Sequence, residues 1–127
     1  MKINIASNEV IHFIGIGGIG MSGLAQIMNN MGFTIQGSDL SQNKNTDRLI
    51  KKGIKVYFGH NQKNLNKTTM VVISSAIKKN NKELLAAKNK KLPVFKRGEM
   101  LANIVALKKN IVVTGSHGKT TTTSLVA

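Results

Sequence analysis

The sequence predicts an α/β fold in which the strands of a parallel sheet alternate with helices. Short apolar runs bounded by glycine or polar turns alternate with segments of helical period along the chain. Two glycine-rich loops, Gly15–Gly20 and Gly115–Thr120, each follow an apolar run and precede a helical segment. This order is typical of parallel sheets with right-handed crossovers. The 127 residues leave room for one complete domain with its own core.

The first unit consists of a strand, a glycine loop and a helix. The run of apolar residues from Val10 to Ile14 suits a strand that is buried on both faces. From Met21 to Met31 apolar residues recur at helical spacing, and Gly32 is the expected left-handed stop of this helix.

The middle of the chain continues the alternation. We predict a second strand at 33–37, a helix at 45–52 that ends at Gly53, a third strand at 55–58 and a fourth at 70–74. The fourth run is too apolar for a strand with one solvated face.

A helix capped by Asn80 or Asn81 should then run to Lys90. A short fifth strand begins at Pro93, and the proline predicts that this strand lies at an edge of the sheet.

The last part predicts a helix at 97–107, a sixth strand at 111–114 and a new helix near Gly118. The polar break before the sixth strand suggests two units. We expect a Rossmann-like domain at 1–108, followed at 109–127 by the first strand, phosphate loop and helix start of a second nucleotide-binding domain. The chain therefore looks like part of a longer protein.

The composition excludes some functions. The net charge is +14, but the lysines are scattered at element ends and no aromatic residues lie among them, so nucleic acid is not the expected partner. No apolar stretch is long enough for a membrane helix, and no secretion signal is visible. Cysteine is absent, which is compatible with a reducing compartment. We expect a cytoplasmic protein.

The first loop has the form Gly15-x-Gly17-x-x-Gly20, in which the glycines permit a tight turn, approach of a pyrophosphate and packing of helix on strand. The following helix offers free N–H groups to phosphates. Asp39 follows about 20 residues on, where such folds place an acid for a ribose hydroxyl. The pattern leaves NAD, NADP and a nucleotide-linked sugar open as ligands.

The second loop ends in Gly118, Lys119 and Thr120, which is typical of nucleoside triphosphate loops. Its backbone N–H groups can hold phosphate oxygens, Lys119 can reach the β- and γ-phosphates, and the hydroxyl of Thr120 or Thr121 can bind Mg²⁺. Val113 stands where the long form of this loop has a glycine.

Three further places could contribute. We expect His12 to be an interior histidine with satisfied hydrogen bonds, because it lies within an apolar strand. His60 follows the third strand, and Ser74 and Ser75 follow the fourth, where they either contact a ligand or serve in turns. The order of residues suggests no metal site and no nucleophile, histidine and acid triad.

Together these motifs resemble the Mur ligases. The resemblance rests on six segments: 11–23, 37–39, 59–60, 74–77, 97–101 and 115–124. Ser116 stands where the family commonly has threonine, which keeps the hydroxyl.

The resemblance implies a three-domain, ATP-dependent ligase of peptidoglycan synthesis. The carboxylate of UDP-N-acetylmuramate would take the γ-phosphate of ATP, and the amine of L-alanine would attack the acyl phosphate. The resemblance implies a UDP-sugar site made of Gly17, Gly18, Ile19, Gly20, Ser38, Asp39, His60, Ser74 and Ser75. It implies an ATP site made of Gly115, Ser116, His117, Gly118, Lys119, Thr120 and Thr121, with Lys119 as the catalytic residue.

Two other functions fit parts of the sequence. An NAD(P)-dependent oxidoreductase domain fits the first loop and Asp39 but leaves the second loop without a purpose. A basic module that binds nucleic acid predicts an affinity that falls steeply with salt. By resemblance, the chain alone is expected to lack ligase activity.

Overall fold

A computed structural model describes residues 9–115, and the side chains of residues 9–107. It contains five strands and four helices, with a 3₁₀ turn at Gln62–Leu65. In chain order these are β1 (Val10–Ile14), α1 (Ile19–Asn30), β2 (Thr34–Asp39), α2 (Lys44–Lys51), β3 (Lys55–Phe58), β4 (Met70–Ile73), α3 (Lys82–Asn89), β5 (Val94–Lys96) and α4 (Arg97–Gly115).

The strands form one parallel sheet in the order β3-β2-β1-β4-β5. The predicted α/β class is therefore confirmed. β1 lies at the centre, with β2 on one side and β4 on the other, and β5 lies at an edge as its proline predicted. After β1 the chain forms β2 and β3 on one side of this strand and then crosses over to form β4 and β5 on the other side.

Alternate residues of β1 serve two hydrophobic layers, as the pleat of a strand requires. Ile11 and Phe13 are fully buried against α1, where Leu24 and Met28 lie in the same cluster. Ile14 belongs to the opposite layer. The strand is thus buried on both faces, as predicted.

The opposite layer is smaller and contains α3. Leu84 and Ala87 of this helix pack with Ile14, Val71 and Leu65. Asn81 caps the helix by accepting the N–H groups of residues 83 and 84, as one of the two predicted caps.

The stop of α1 is also where it was predicted. Gly32 follows the helix with a φ of +98°, in the left-handed region that favours glycine. The N–H of Phe33 then returns to the carbonyl of Met28, which closes the helix end and starts β2.

The predicted sixth strand at Ile111–Thr114 is wrong, because α4 continues through these residues to Gly115. β-branched residues favour a strand only where neighbouring strands accept its hydrogen bonds. A helix satisfies its backbone within its own segment, and α4 enters this part from good helix formers such as Ala106 and Leu107. The division into domains at 108 and 109 stays a prediction.

Among residues 9–115, no helix is long and apolar enough to cross a membrane.

Candidate functional site

The reversal of strand order creates a crevice at the carboxyl ends of β1 and β4, the place where open α/β sheets bind ligands. The glycine loop follows β1, and Ser74 follows β4. A β-carbon added to Gly15 would lie 3.4 Å from the Ser74 hydroxyl oxygen. The two predicted segments therefore meet at this crevice.

The loop is fixed to the end of β2. The amides of Gly15 and Ile16 both donate to the carbonyl of Ser38, at 2.8 and 2.9 Å. Gly37 makes room for this contact, because a β-carbon there would lie 2.5 Å from Ile16 Cδ1. The fold thus sets the path of the loop before any ligand binds.

The peptide groups on both sides of Gly17 are held by side chains. The N–H of Gly17 donates to Asp39 Oδ2 at 2.7 Å, and its carbonyl accepts from Asn45 Nδ2 at 2.9 Å. The other Asp39 oxygen accepts the N–H of Leu40 at 2.7 Å. Asp39 therefore lies beside the loop as predicted, but both of its carboxylate oxygens already bind backbone N–H groups.

The start of α1 is open to solvent. Gly18, Ile19 and Gly20 are exposed, and Ile19 has 89% of its surface accessible. Within the described residues, the amides of Ile19, Gly20 and Met21 donate to no acceptor. Free N–H groups and the positive end of the helix dipole together favour an anion here.

Gly20 has a different neighbour from the one that the sequence suggested. We expected the third glycine to let the helix pack on a strand, but a β-carbon there would lie 2.9 Å from Nε of Arg97. Arg97 is the first residue of α4 and follows β5 directly. Gly20 therefore makes room for an arginine side chain, and sequence reasoning did not place that arginine in the site.

A cavity of about 660 Å³ continues the crevice along the ends of β4 and β5. Ser74 and Ser75 line it, together with Arg97 and Lys96. The hydroxyl of Ser74 also accepts the N–H of Ala76 at 3.1 Å, so this serine both shapes a turn and faces the cavity. The two predicted serines thus lie where a ligand can reach them.

Ser38 and His60 lie behind the loop. Ser38 is fully buried, and its hydroxyl donates to Glu83 Oε1 at 2.5 Å and lies 2.9 Å from His60 Nδ1. Since the hydroxyl proton goes to the carboxylate, the Nδ1–H of His60 must donate to the hydroxyl oxygen. These side chains hold the end of β2 from the interior.

Glu83 is a buried residue that sequence reasoning missed. Its carboxylate accepts hydrogen bonds from His12 Nε2 at 2.8 Å, Ser38, the Asn61 amide at 3.1 Å and Asn64 Nδ2 at 2.6 Å. Burial acts to raise the pKa of Glu83, but the hydrogen bonds, first that of His12, outweigh it and lower the pKa to about 2. In the sequence, a glutamate in the first turn of a capped helix resembles an ordinary exposed partner of the helix dipole.

His12 is an interior histidine with satisfied hydrogen bonds, as predicted. Its Nδ1 lies 2.8 Å from Gln36 Nε2, and the same nitrogen of Gln36 donates to the Asn64 carbonyl at 2.7 Å. The carbonyl can only accept, which fixes the orientation of the Gln36 amide and makes His12 Nδ1 an acceptor. His12 Nε2 then carries the proton donated to Glu83.

Ser38, His60 and Glu83 form the serine, histidine and acid combination that the order of residues did not suggest. The serine is 0% exposed and its hydroxyl donates to the acid, so no substrate can meet it. The cluster is structural. It connects α3 with the end of β2, to which the loop is hydrogen-bonded.

The second loop lies almost wholly outside the described residues. This applies to Ser116, His117, Gly118, Lys119, Thr120 and Thr121, whereas Gly115 is the last residue of α4.

Comparison with known proteins agrees with this site. The family model described as "Mur ligase family, catalytic domain" matches residues 10–109. A UDP-N-acetylmuramate–L-alanine ligase of Pelagibacter ubique is 68% identical over the whole chain, which covers 27% of that relative. Its counterpart in Rickettsia bellii is 56% identical over 94% of the chain and 25% of the relative.

Solved structures give the same result. The UDP-N-acetylmuramate-alanine ligase MurC of Thermotoga maritima superposes with a TM-score of 0.75 and 30% identity, over 78% of this chain and 23% of that one. A UDP-N-acetylmuramate:L-alanyl-γ-D-glutamyl-meso-diaminopimelate ligase of Neisseria meningitides has a TM-score of 0.69 and 33% identity, over 73% and 30%. The chain spans about a quarter of the length of the curated relatives it matches. With the family model matching residues 10–109, the chain belongs to the Mur ligase family.

Proposed function

We propose that this chain binds the nucleotide part of UDP-N-acetylmuramate, and that it belongs to an ATP-dependent ligase that joins L-alanine to this substrate. The observation that carries the proposal is the exposed start of α1, which directly follows the loop after β1 and has free N–H groups. Relatives named for this substrate and L-alanine match the whole chain or nearly all of it.

In this proposal the diphosphate binds at the free amides of Ile19 and Gly20 and against the exposed Gly18, whose own N–H donates to the Gly15 carbonyl at 3.2 Å. Ser74 and Ser75 contact the ligand from the other side of the crevice, where both face the cavity. These contacts use groups that are accessible in the structure.

Three of the predicted residues mainly hold the loop in place: Asp39, Ser38 and His60. Asp39 holds Gly17 at 2.7 Å, and its remaining lone pairs can accept a hydroxyl of the ligand. Ser38 supports the loop through its carbonyl, and His60 supports Ser38. The predicted nucleotide site is thus divided between contact residues and supporting residues.

We assign the reaction with ATP to the second loop. We propose that Gly115 to Thr121 bind ATP, that Lys119 stabilises charge on the transferred phosphoryl group, and that Thr120 or Thr121 holds Mg²⁺. The sugar carboxylate would take the phosphoryl group and release ADP. The amine of L-alanine would then displace phosphate from the acyl carbon, in the cytoplasm where ATP is available.

The binding half is tested by calorimetric titration of the chain with UDP-N-acetylmuramate and with NAD. We expect the sugar nucleotide to bind and NAD not to bind. Tight binding of NAD without binding of the uridine nucleotide would instead favour an oxidoreductase domain.

The ligase half needs the product of the complete gene. This protein, supplied with UDP-N-acetylmuramate, L-alanine, ATP and Mg²⁺, should release phosphate and form the L-alanyl product in equal amounts. Replacement of Lys119 by methionine should abolish both. Product formation without ATP would contradict the proposal.

A further inference from the structure

We infer that Arg97 is a phosphate-binding residue of the nucleotide site, with its guanidinium contacting the diphosphate of the ligand at the start of α1. The inference rests on the proposed function and adds a residue that lies 77 positions after Gly20 in the chain. Its basis is the position of the Arg97 side chain, the absence of a partner for it among residues 9–107, the charges around it and the choice of arginine at this position.

The side chain of Arg97 lies at the proposed nucleotide site. The side chain of Arg97 lies against Gly20, where an added β-carbon would be 2.9 Å from both Cδ and Nε. Gly20 carries one of the free amides of the exposed helix start. Arg97 also lines the cavity of about 660 Å³ beside Ser74 and Ser75. The guanidinium therefore lies between the loop and the cavity.

No described residue pairs with the side chain of Arg97. Within the described residues Arg97 makes no salt bridge and its side chain makes no hydrogen bond. The nearby acid, Glu99, accepts the N–H of Lys96 at 2.8 Å instead. A cation in the first turn of α4 and beside the start of α1 opposes two helix dipoles, and an anion between them would relieve both conflicts.

Arg97 can also balance the negative charges of Asp39 and of a bound diphosphate. The Asp39 carboxylate lies 2.7 Å from the Gly17 amide and brings a negative charge close to the expected diphosphate. A carboxylate and a diphosphate bound next to the same loop repel each other unless a cation compensates. Arg97 is a cation on the opposite, Gly20 side of the same short loop.

The basic residue at this position is an arginine and not a lysine. Only two of the 19 basic residues are arginines, Arg48 and Arg97. A planar guanidinium can donate two parallel hydrogen bonds to phosphate oxygens, which a lysine cannot. Arginine at this position therefore fits recognition of a phosphate better than general surface charge.

The test compares Arg97→Gln and Arg97→Lys with Arg48→Gln, in which the other exposed arginine is changed. Each chain is titrated with UDP-N-acetylmuramate, UDP and uridine, with calorimetry for the nucleotides and NMR for uridine. Arg97→Gln should bind both nucleotides about tenfold more weakly or worse and bind uridine unchanged. Arg97→Lys should lie between Arg97→Gln and the unchanged chain, and Arg48→Gln should stay within about twofold.

Two results would overturn the inference while the proposed function stands. These are UDP affinities of both Arg97 variants within about twofold of the unchanged chain, or equal losses for uridine and UDP. Failure of the unchanged chain to bind any uridine nucleotide would remove the proposed function, and this inference with it. Melting curves check that each variant is folded, and Arg97→Lys provides the test if Arg97→Gln is not.

Discussion

Asp39 Oδ2 accepts the N–H of Gly17 at 2.7 Å, across 22 residues of chain. This contact joins the end of β2 to the middle of the glycine loop. The carboxylate binds the backbone of the loop, so it contributes to the shape of the site as well as to its charge. The geometry at Gly18 to Gly20 therefore depends on Asp39.

Replacement of Asp39 by alanine should loosen the loop. We expect the affinity for UDP-N-acetylmuramate to fall about tenfold, because two charge-assisted hydrogen bonds to the backbone are lost. Titration calorimetry measures the change. Asp47→Ala is the matched control, since the one side-chain hydrogen bond of Asp47 among residues 9–107 is an exposed one from Gln42, and its loss should have little effect. Unchanged binding by Asp39→Ala would show that the loop keeps its shape without this contact.

Replacement of Glu83 by glutamine should destabilise the fold by about 3 kcal/mol, because the buried carboxylate accepts four hydrogen bonds and an amide places N–H groups against donors. Urea unfolding measures the loss. Glu99→Gln, at an exposed residue that accepts one backbone N–H, should cost no more than about 1 kcal/mol. Equal losses in the two variants would contradict the network.

The same carboxylate predicts a dependence of stability on pH. The pKa of Glu83 is lowered from 4.5 to about 2 in the folded chain, so its contribution is present above pH 4.5 and is lost as the pH falls toward 2. That contribution is about 3 kcal/mol. The difference in unfolding free energy between the unchanged chain and Glu83→Gln should be constant from pH 5 to 7 and shrink below pH 4. A difference that grows with acid would have the wrong sign.

Two glycine substitutions should act in opposite directions. A β-carbon at Gly37 would lie 2.5 Å from Ile16 Cδ1 and 2.7 Å from the Phe13 carbonyl oxygen, so Gly37→Ala should destabilise by about 3 kcal/mol. A β-carbon at Gly23 meets nothing within 4 Å, and Gly23→Ala in the middle of α1 should stabilise by about 0.5 to 1 kcal/mol. Thermal or urea unfolding compares them. Similar stabilities would contradict the close approach of Ile16 to β2.

Much of the fold could be predicted because its signals are local. The apolar run of β1, the spacing of Leu24 and Met28 on α1 and the stop at Gly32 each depend on neighbouring residues. The sixth strand failed for the converse reason. Ile111–Thr114 has strand-forming residues, but a strand requires hydrogen-bonding partners that no local pattern supplies.

Part of the site could also be predicted from local signals, namely from residues that lie at the ends of strands. Its glycines and Ser74 follow strands and Asp39 ends one, and parallel strands bring such residues to one edge of the sheet. Glu83 and Arg97 could not be found in this way. Glu83 meets His12 across 71 residues of chain, and Arg97 meets Gly20 across 77, so both contacts depend on the assembled fold.

The central claim is that the exposed start of α1 binds the diphosphate of a uridine sugar nucleotide. NMR titration of the ¹⁵N-labelled chain with UDP-N-acetylmuramate tests it most directly. The account predicts that the largest shifts occur at the amides of Gly18, Ile19 and Gly20, with smaller shifts at Ser74 and none on addition of NAD. Shifts of these amides with NAD and none with UDP-N-acetylmuramate would contradict it.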